Sequence, residues 1–155
     1  MAKLSHYDSR GRVAMVDVSQ KAVTERRAQA SAFVEMSSAV LRALAKNPKG
    51  DSLEVARIAG IQAAKRTAEL IPMCHPLPIS HVDVTCELCE NGVAIASTVT
   101  TTAATGVEME ALVAASIAAL TVYDMCKALD KGIAIRDVVL QSKTGGKSGS
   151  YRRKR

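Results

Sequence analysis

A chain of 155 residues with 48% hydrophobic content is long enough for one domain with a substantial core, and its composition excludes a disordered polymer. Of the net charge of +6, four charges belong to the terminal run Arg152-Arg153-Lys154-Arg155, so the body carries only +2. One Phe, three Tyr and no Trp supply few stacking platforms, which argues against a single-stranded nucleic-acid partner and leaves an anionic small molecule as the compatible ligand class.

The N-terminal residues Met1 to Asp8 contain no apolar h-region, so no secretory signal is read there. Four cysteines (Cys74, Cys86, Cys89, Cys126) fit a reducing compartment, and a cytoplasmic protein is expected. Cys86 and Cys89 match C-x-x-C, but residues three apart on a strand face opposite ways and cannot clasp one metal. No protein-held metal site is predicted. Residues 1–25 are polar and irregular around the short apolar run Val13 to Val18, and a mobile or loosely docked segment is expected.

From Arg26 to Met36 the alternation of Ala28, Ala30, Ala32, Val34 and Met36 permits a strand, while the alanines equally permit a helix. Ser37 can cap a helix that Pro48 prevents from continuing past Asn47. Asp51 can cap the next helix with Glu54 three residues on. That helix has a small-residue face (Ala56, Gly60, Ala63, Ala64) made for close packing. Lys65 and Arg66 are either surface charges or, with Lys49 just before the helix start, part of an anion site.

Pro72-Met73-Cys74-His75-Pro76-Leu77-Pro78 is the stiffest stretch, three prolines fixing φ around His75. A hydrogen-bonded surface histidine and a held functional one both suit it. Val82, Val84, Cys86 and Leu88 then alternate as a strand. Asn91-Gly92 signals a hairpin, and Val93 to Thr102 returns. Ile133 to Leu140 reads as the last strand. The sum is an α+β, ferredoxin-like sandwich: a four-stranded antiparallel sheet with helices on one face and the other face open to oligomerisation if apolar. The glycine loop Lys143-Thr-Gly-Gly-Lys-Ser-Gly149 can present N–H groups to a phosphate or serve as a linker to the basic tail 150–155. It is no Walker loop, because Gln141 stands where the first glycine belongs.

A long helix spans Thr105 to Lys127, with a capping box predicted from Thr105 and Glu108, and Gly132 as its terminating residue. Its charged residues argue against a membrane span. Glu110, Thr121, Asp124, Lys127 and Lys131 fall within roughly one third of the circumference of an otherwise apolar helix. Asp124 and Lys127 are i,i+3 neighbours, able to form either an exposed ion pair or a proton-transfer pair. Glu110 and Asp124 are 14 residues apart, about 21 Å along a straight helix. If both serve one ligand, a second copy of the chain must supply one of them.

Taken in order, Ala56-Arg-Ile-Ala-Gly-Ile-Gln-Ala-Ala-Lys-Arg-Thr67, Leu70-Ile-Pro-Met-Cys-His-Pro76, Gly106-Val-Glu-Met-Glu-Ala-Leu112, Ala119-Leu-Thr-Val-Tyr-Asp-Met-Cys-Lys-Ala128 and Lys143 to Gly149 resemble the cyclic pyranopterin monophosphate synthase family of molybdenum cofactor biosynthesis. The resemblance covers nearly the whole chain. It implies a single catalytic domain with lyase activity, converting 3′,8-cyclo-7,8-dihydroguanosine 5′-triphosphate to cyclic pyranopterin monophosphate with release of diphosphate. It implies a homo-hexamer, a trimer of dimers with intersubunit sites, no tightly bound cofactor, and Mg²⁺ at most accompanying the triphosphate.

By the same resemblance the catalytic positions are Asp124, Lys127 and Lys49. The substrate-binding positions are Met73, Cys74, His75, Met109 and Glu110, with Arg26, Lys65, Glu108, Lys143 and Lys147. Ala104 departs from the family pattern, where a basic residue often stands. A non-catalytic ferredoxin-like module binding RNA or a metabolite is the alternative from another class.

Overall fold

The computed structural model describes residues 4–47 and 51–154. In chain order it forms β1 (Thr24–Glu35), α1 (Ser38–Ala45), α2 (Ser52–Lys65), the single turn α3 (Thr67–Leu70), β2 (Ile79–Cys89), β3 (Gly92–Ala103), α4 (Glu108–Cys126), β4 (Ala134–Thr144) and the two-residue β5 (Tyr151–Arg152). One sheet in the order β2-β3-β1-β4-β5 holds every strand, all pairs antiparallel. Helices α2 and α4 cover one face. This is the expected α+β, ferredoxin-like sandwich, with five strands where four were predicted. The addition comes from the C-terminal end: the glycine loop folds back so that Tyr151 and Arg152 pair with Lys143 and Ser142. Among the described residues the basic tail is therefore not wholly free, and the glycine stretch is the hairpin turn 145–150 between β4 and β5 rather than a linker, with Lys143 and Thr144 still in β4.

β1 resolves the ambiguity of its alanines in favour of a strand. It lies between β3 and β4, so both backbone edges are paired, and that outweighs the helical preference of alanine. Ala28, Ala30, Ala32 and Val34 point into the helical layer, all at most 4% exposed. On the open face, Gln29 donates to Thr98 Oγ1 and accepts from Ser142 Oγ, Gln141 donates to Ser31 Oγ, and Arg136 pairs with Glu35. This part of the open face is a hydrogen-bonded polar lattice, not the apolar surface that would ask for a cover.

Asp51 caps α2 as expected, its Oδ1 accepting from the N–H groups of Leu53 and Glu54. Glu54 does not close the reciprocal box but pairs with Arg57. Ser37 caps α1 through Val40. The predicted ends of α4 are both revised. The helix starts at Glu108 with Val107 as its cap residue and no side-chain cap, because the Glu108 carboxylate is drawn to Lys143 at 2.9 Å. It stops at Cys126 with Lys127 as cap, and Gly132 lies beyond in a separate turn where its N–H donates to Asp130. The tight turn of the β2–β3 hairpin is Glu90-Asn91, and Gly92 already pairs with Cys89. Gly92 is needed for proximity: a Cβ there would lie 2.2 Å from the carbonyl oxygen of Val34.

By length and hydropathy α4 passes as a membrane-spanning segment. Its place is in the core, where Ala111, Ala114, Ala115, Ala118 and Ala119 have no exposed surface. The Oγ of Ser97 on β3 donates to the carbonyl of Ala111 at 2.7 Å and ties the helix to the sheet. Gly60 of α2 meets α4 so closely that a Cβ would stand 2.9 Å from the Ala114 carbonyl and 3.2 Å from the Ala118 Cβ. Gly60→Val should therefore destabilise the fold by about 1–3 kcal/mol through overpacking. Urea denaturation at fixed protein concentration measures this, and an unchanged midpoint would contradict the packing described.

Candidate active site

A cavity of about 470 Å³ opens beside the start of α4. Thr105, Gly106, Glu108, Met109 and Glu110 form one wall, Met73, Cys74, His75 and Leu77 the second, and Ser5, His6, Val16, Val18 and Lys21 the third. Two smaller depressions share its walls. One continues past His75 and Glu110 to Lys65 and Arg66. The other continues past Glu108 and Lys143 to Arg26 and Arg27. Nine of the thirteen predicted site residues (Arg26, Lys65, Met73, Cys74, His75, Glu108, Met109, Glu110 and Lys143) thus line one connected region.

The proline-rich loop brings its residues there by a pinned course. Cys74 N–H donates to the Ile71 carbonyl, and Thr101 Oγ1 on β3 donates to the Pro78 carbonyl at 2.8 Å. Glu110, predicted on the polar line of α4, is 4% exposed. Burial, the main cause, pushes its carboxyl up to about 7, and the neighbouring Glu108 carboxylate adds to the shift. An acid poised near neutrality at a cavity wall can give or take a proton. Burial, reinforced by the Glu110 charge, also raises the Cys74 thiol, which disfavours the thiolate.

The opposite end is cationic. Lys143 Nζ lies 2.9 Å from both Glu108 Oε1 and Ser148 Oγ. Arg26 donates through Nε to the Ala103 carbonyl and through a terminal nitrogen to that of Ala104. Ala104, the position expected to depart from the family pattern, anchors Arg26 through its backbone oxygen. Gly145 and Gly146 have φ of +91° and +78°, and a Cβ on Gly146 would sit 2.0 Å from an Arg26 guanidinium nitrogen. The glycines let the loop lie down on β1, where a Cβ on Gly145 would stand 2.2 Å from the Glu25 carbonyl oxygen, while Lys143 is placed by its own pairing with Ala28. Lys147, on the same turn, is exposed.

Asp124 and Lys127 form the predicted contact, Nζ to Oδ1 at 2.5 Å, but away from this cavity. They edge a separate, open depression with Ile117, Leu120, Thr121 and Tyr123. Both side chains are more than half exposed. The hydrogen bond that Lys127 Nζ donates to Asp124 holds the ammonium above the ordinary lysine range, opposite in direction to the depressed value that desolvation among cations would produce. Lys49 lies outside the described residues. α2 and α4 run antiparallel, since Ala64 and Glu110 share one depression while Gly60 packs between Ala114 and Ala118. The capped start of α2 at Asp51 therefore points toward the Asp124 end of α4.

The MoaC family model matches residues 15–146. The chain belongs to the MoaC family. It is 56% identical over 153 residues to a Mycobacterium tuberculosis (strain ATCC 25618 / H37Rv) protein named cyclic pyranopterin monophosphate synthase 1, covering 97% of this chain and 90% of that protein. A Streptomyces griseus cyclic pyranopterin monophosphate synthase is 56% identical with 97% and 86% covered, and one from Herpetosiphon aurantiacus is 55% identical with 96% and 93% covered.

Sequence reasoning missed several residues of this MoaC-family cavity. Lys21, His6, Val16 and Val18 come from a segment with no periodic pattern to place it, and Arg27 follows Arg26 on a strand, where alternation alone sets it aside. Motif position could have flagged only Thr105 and Gly106, and the capping assignment absorbed Thr105.

The Glu110 shift has a thermodynamic sign. A carboxyl raised from the ordinary glutamate value of 4.5 to about 7 binds its proton more tightly when folded, so its contribution is fully present below about pH 4.5 and lost as pH rises through 7. Wild-type stability should fall across that window by roughly 2–4 kcal/mol relative to Glu110→Gln, which lacks the titration. Chemical denaturation of both proteins from pH 4.5 to 8 tests this, and parallel profiles would remove the assignment.

Proposed function

We propose that this chain is a cyclic pyranopterin monophosphate synthase, a lyase converting 3′,8-cyclo-7,8-dihydroguanosine 5′-triphosphate to cyclic pyranopterin monophosphate and diphosphate. The carrying observation is that nine of the expected site residues line one connected region, with the buried Glu110 carboxyl beside Lys65 and Arg66 on one side and Lys143, Arg26 and Arg27 further along on the other. The relatives' shared name supports the reaction. Cytoplasmic location is part of the proposal, supported by four cysteines that are all free.

In this reading Lys143, Arg26, Lys65, Lys147 and Lys49 hold phosphate oxygens, and Met73, Cys74, His75, Met109 and Glu110 surround the heterocycle. Rearranging the purine-derived ring into a pyranopterin needs protons moved on and off ring atoms, the role given to Asp124, Lys127 and the near-neutral Glu110. A sugar hydroxyl then attacks the α-phosphorus, and the bond from that phosphorus to the diphosphate oxygen breaks. Cations neutralise the charge that develops on the leaving group. Mg²⁺, where used, travels with the triphosphate rather than on a protein ligand set.

Asp124 and Lys127 enter this scheme only through a second chain. Asp124 lies about 21 Å along α4 from Glu110 by helix rise, with Lys127 beyond it, and Leu120, Met125 and Leu129 on the same end are exposed. A homo-hexamer built as a trimer of dimers, with one chain's Asp124–Lys127 closing its neighbour's cavity, is the assembly this reading requires. Enclosure there would also strip water from Lys127 and lower its proton affinity.

The test is diphosphate release from the cyclised nucleotide. Asp124→Asn and Glu110→Gln should each lower turnover roughly 100-fold or more. A co-refolded equal mixture of the two variants should regain about a quarter of wild-type activity, because random pairing gives half mixed dimers with one intact site of two. No recovery would overturn the shared site, and a wild-type protein releasing no diphosphate would overturn the activity.

A further inference from the structure

The terminal hairpin carries a second cavity, of about 710 Å³, beside the candidate active site. Gln29 of β1, Gln141 and Ser142 of β4, and Arg152 and Arg153 at β5 belong to its lining. The volume is that of a small-molecule site. Two arginines and Lys143 line it, and no carboxylate does. Lys143 is already engaged by Glu108 and Ser148. Among the described residues, neither the Arg152 nor the Arg153 side chain has a hydrogen bond or an ion pair.

A β-bulge builds the floor. Gln29 pairs with Ser142 and the next residue, Ala30, with Leu140, so Gln141 is an extra residue in β4. The bulge aims two successive side chains the same way. Ser142 Oγ donates to Gln29 Oε1, and the Gln141 amide donates to Ser31 Oγ. Gln29 and Ser31 alternate with the buried Ala28, Ala30 and Ala32, so all four side chains face away from the helices. Arg152 lies directly across from Ser142, and cross-strand partners project to one face. The Arg153 N–H donates to the Gln141 carbonyl at 2.8 Å, one step further along the same edge. The floor is thus a bed of amides and hydroxyls held by its own hydrogen bonds, and the guanidinium groups are left over for a ligand.

We propose that this cavity is a second anion site, which takes the diphosphate group of a small molecule on Arg152 and Arg153. A guanidinium fork meets two oxygens of one phosphate, and two neighbouring unpaired arginines match two adjoining phosphates. Free diphosphate and the phosphate tail of a nucleotide present the same group. The cavity adjoins the cationic end of the candidate active site, since Lys143 and Thr144 line both. Diphosphate released from that end meets this site next. That origin of the ligand rests on the function proposed above, whereas the site itself rests on its own side chains.

The experiment is calorimetric titration of the full chain with inorganic diphosphate at fixed ionic strength. Arg152→Ala/Arg153→Ala should weaken the site about 100-fold, the scale of two lost charge-assisted hydrogen bonds. Gln141→Glu, which puts a carboxylate into the floor and leaves β5 untouched, should weaken it about tenfold or more. Lys154→Ala removes a neighbouring charge outside the lining and should change binding by less than about twofold. Undiminished binding in the double arginine variant would overturn the site. Equal weakening by Lys154→Ala would also overturn it, by showing unspecific attraction to a basic tail. Guanosine 5′-diphosphate is the second probe: tighter binding than inorganic diphosphate, lost in the same variants, assigns the site to a nucleotide, and equal or weaker binding assigns it to free diphosphate. A wild-type chain that binds diphosphate here yet does not turn over the cyclised nucleotide would remove the proposed function and leave this site standing.

Discussion

The distance between α2 and α4 is set by what Gly60 lacks. Its hydrogen leaves room for the Ala114 carbonyl and the Ala118 Cβ, and the alanines of α4 leave room in turn for Ala28, Ala30 and Ala32 on β1. A core this dense in one-carbon side chains gains its cohesion from close contact between backbones rather than from bulky apolar groups. It also makes α4 a rigid rod sunk into the domain. Glu110, in its first turn, is carried below the surface by that depth, and its displaced proton affinity follows from the packing.

A rigid rod of this kind separates as well as supports. Because α2 returns antiparallel to α4, the cavity with Glu110, His75 and the cationic loop gathers at one end of the pair, and Asp124 with Lys127 gathers at the other. Neither helix can bend to bring the ends together without breaking its close contacts. The proposed requirement for a second chain thus comes from the stiffness of the domain, on which the sandwich itself depends.

Sequence was most informative where a local cause acts alone. Asp51 and Ser37 cap the helices they precede, and of the alternating Val82, Val84, Cys86 and Leu88 the first three point inward while Leu88, near the hairpin end, is exposed. It misled where a distant partner competes. Thr105 and Glu108 had the spacing of a capping box, but Lys143 is 35 residues further along the chain and claims the carboxylate. Asn91-Gly92 did mark the hairpin, although its tight turn is one residue earlier and the glycine serves the contact with Val34. The site was legible through the family resemblance and not through pattern. Glu110 looked like a member of a polar stripe, since helical phase cannot tell which end of a stripe is buried.

The two acid–base elements of α4 also differ in what they can do unaided. Glu110 is already out of water, so its carboxyl sits near neutrality in the chain as it stands. Asp124 and Lys127 are exposed, and each satisfies the other. Such a pair contributes little to stability and holds its proton firmly on the amine. Changing that balance takes removal of water from Lys127 or a competing charge on Asp124, and within the chain the depression beside them supplies neither. On the proposed reading the enclosing neighbour and its anionic nucleotide supply both. The pair would then become reactive only when a site is assembled and filled, which would keep proton transfer from being wasted on water.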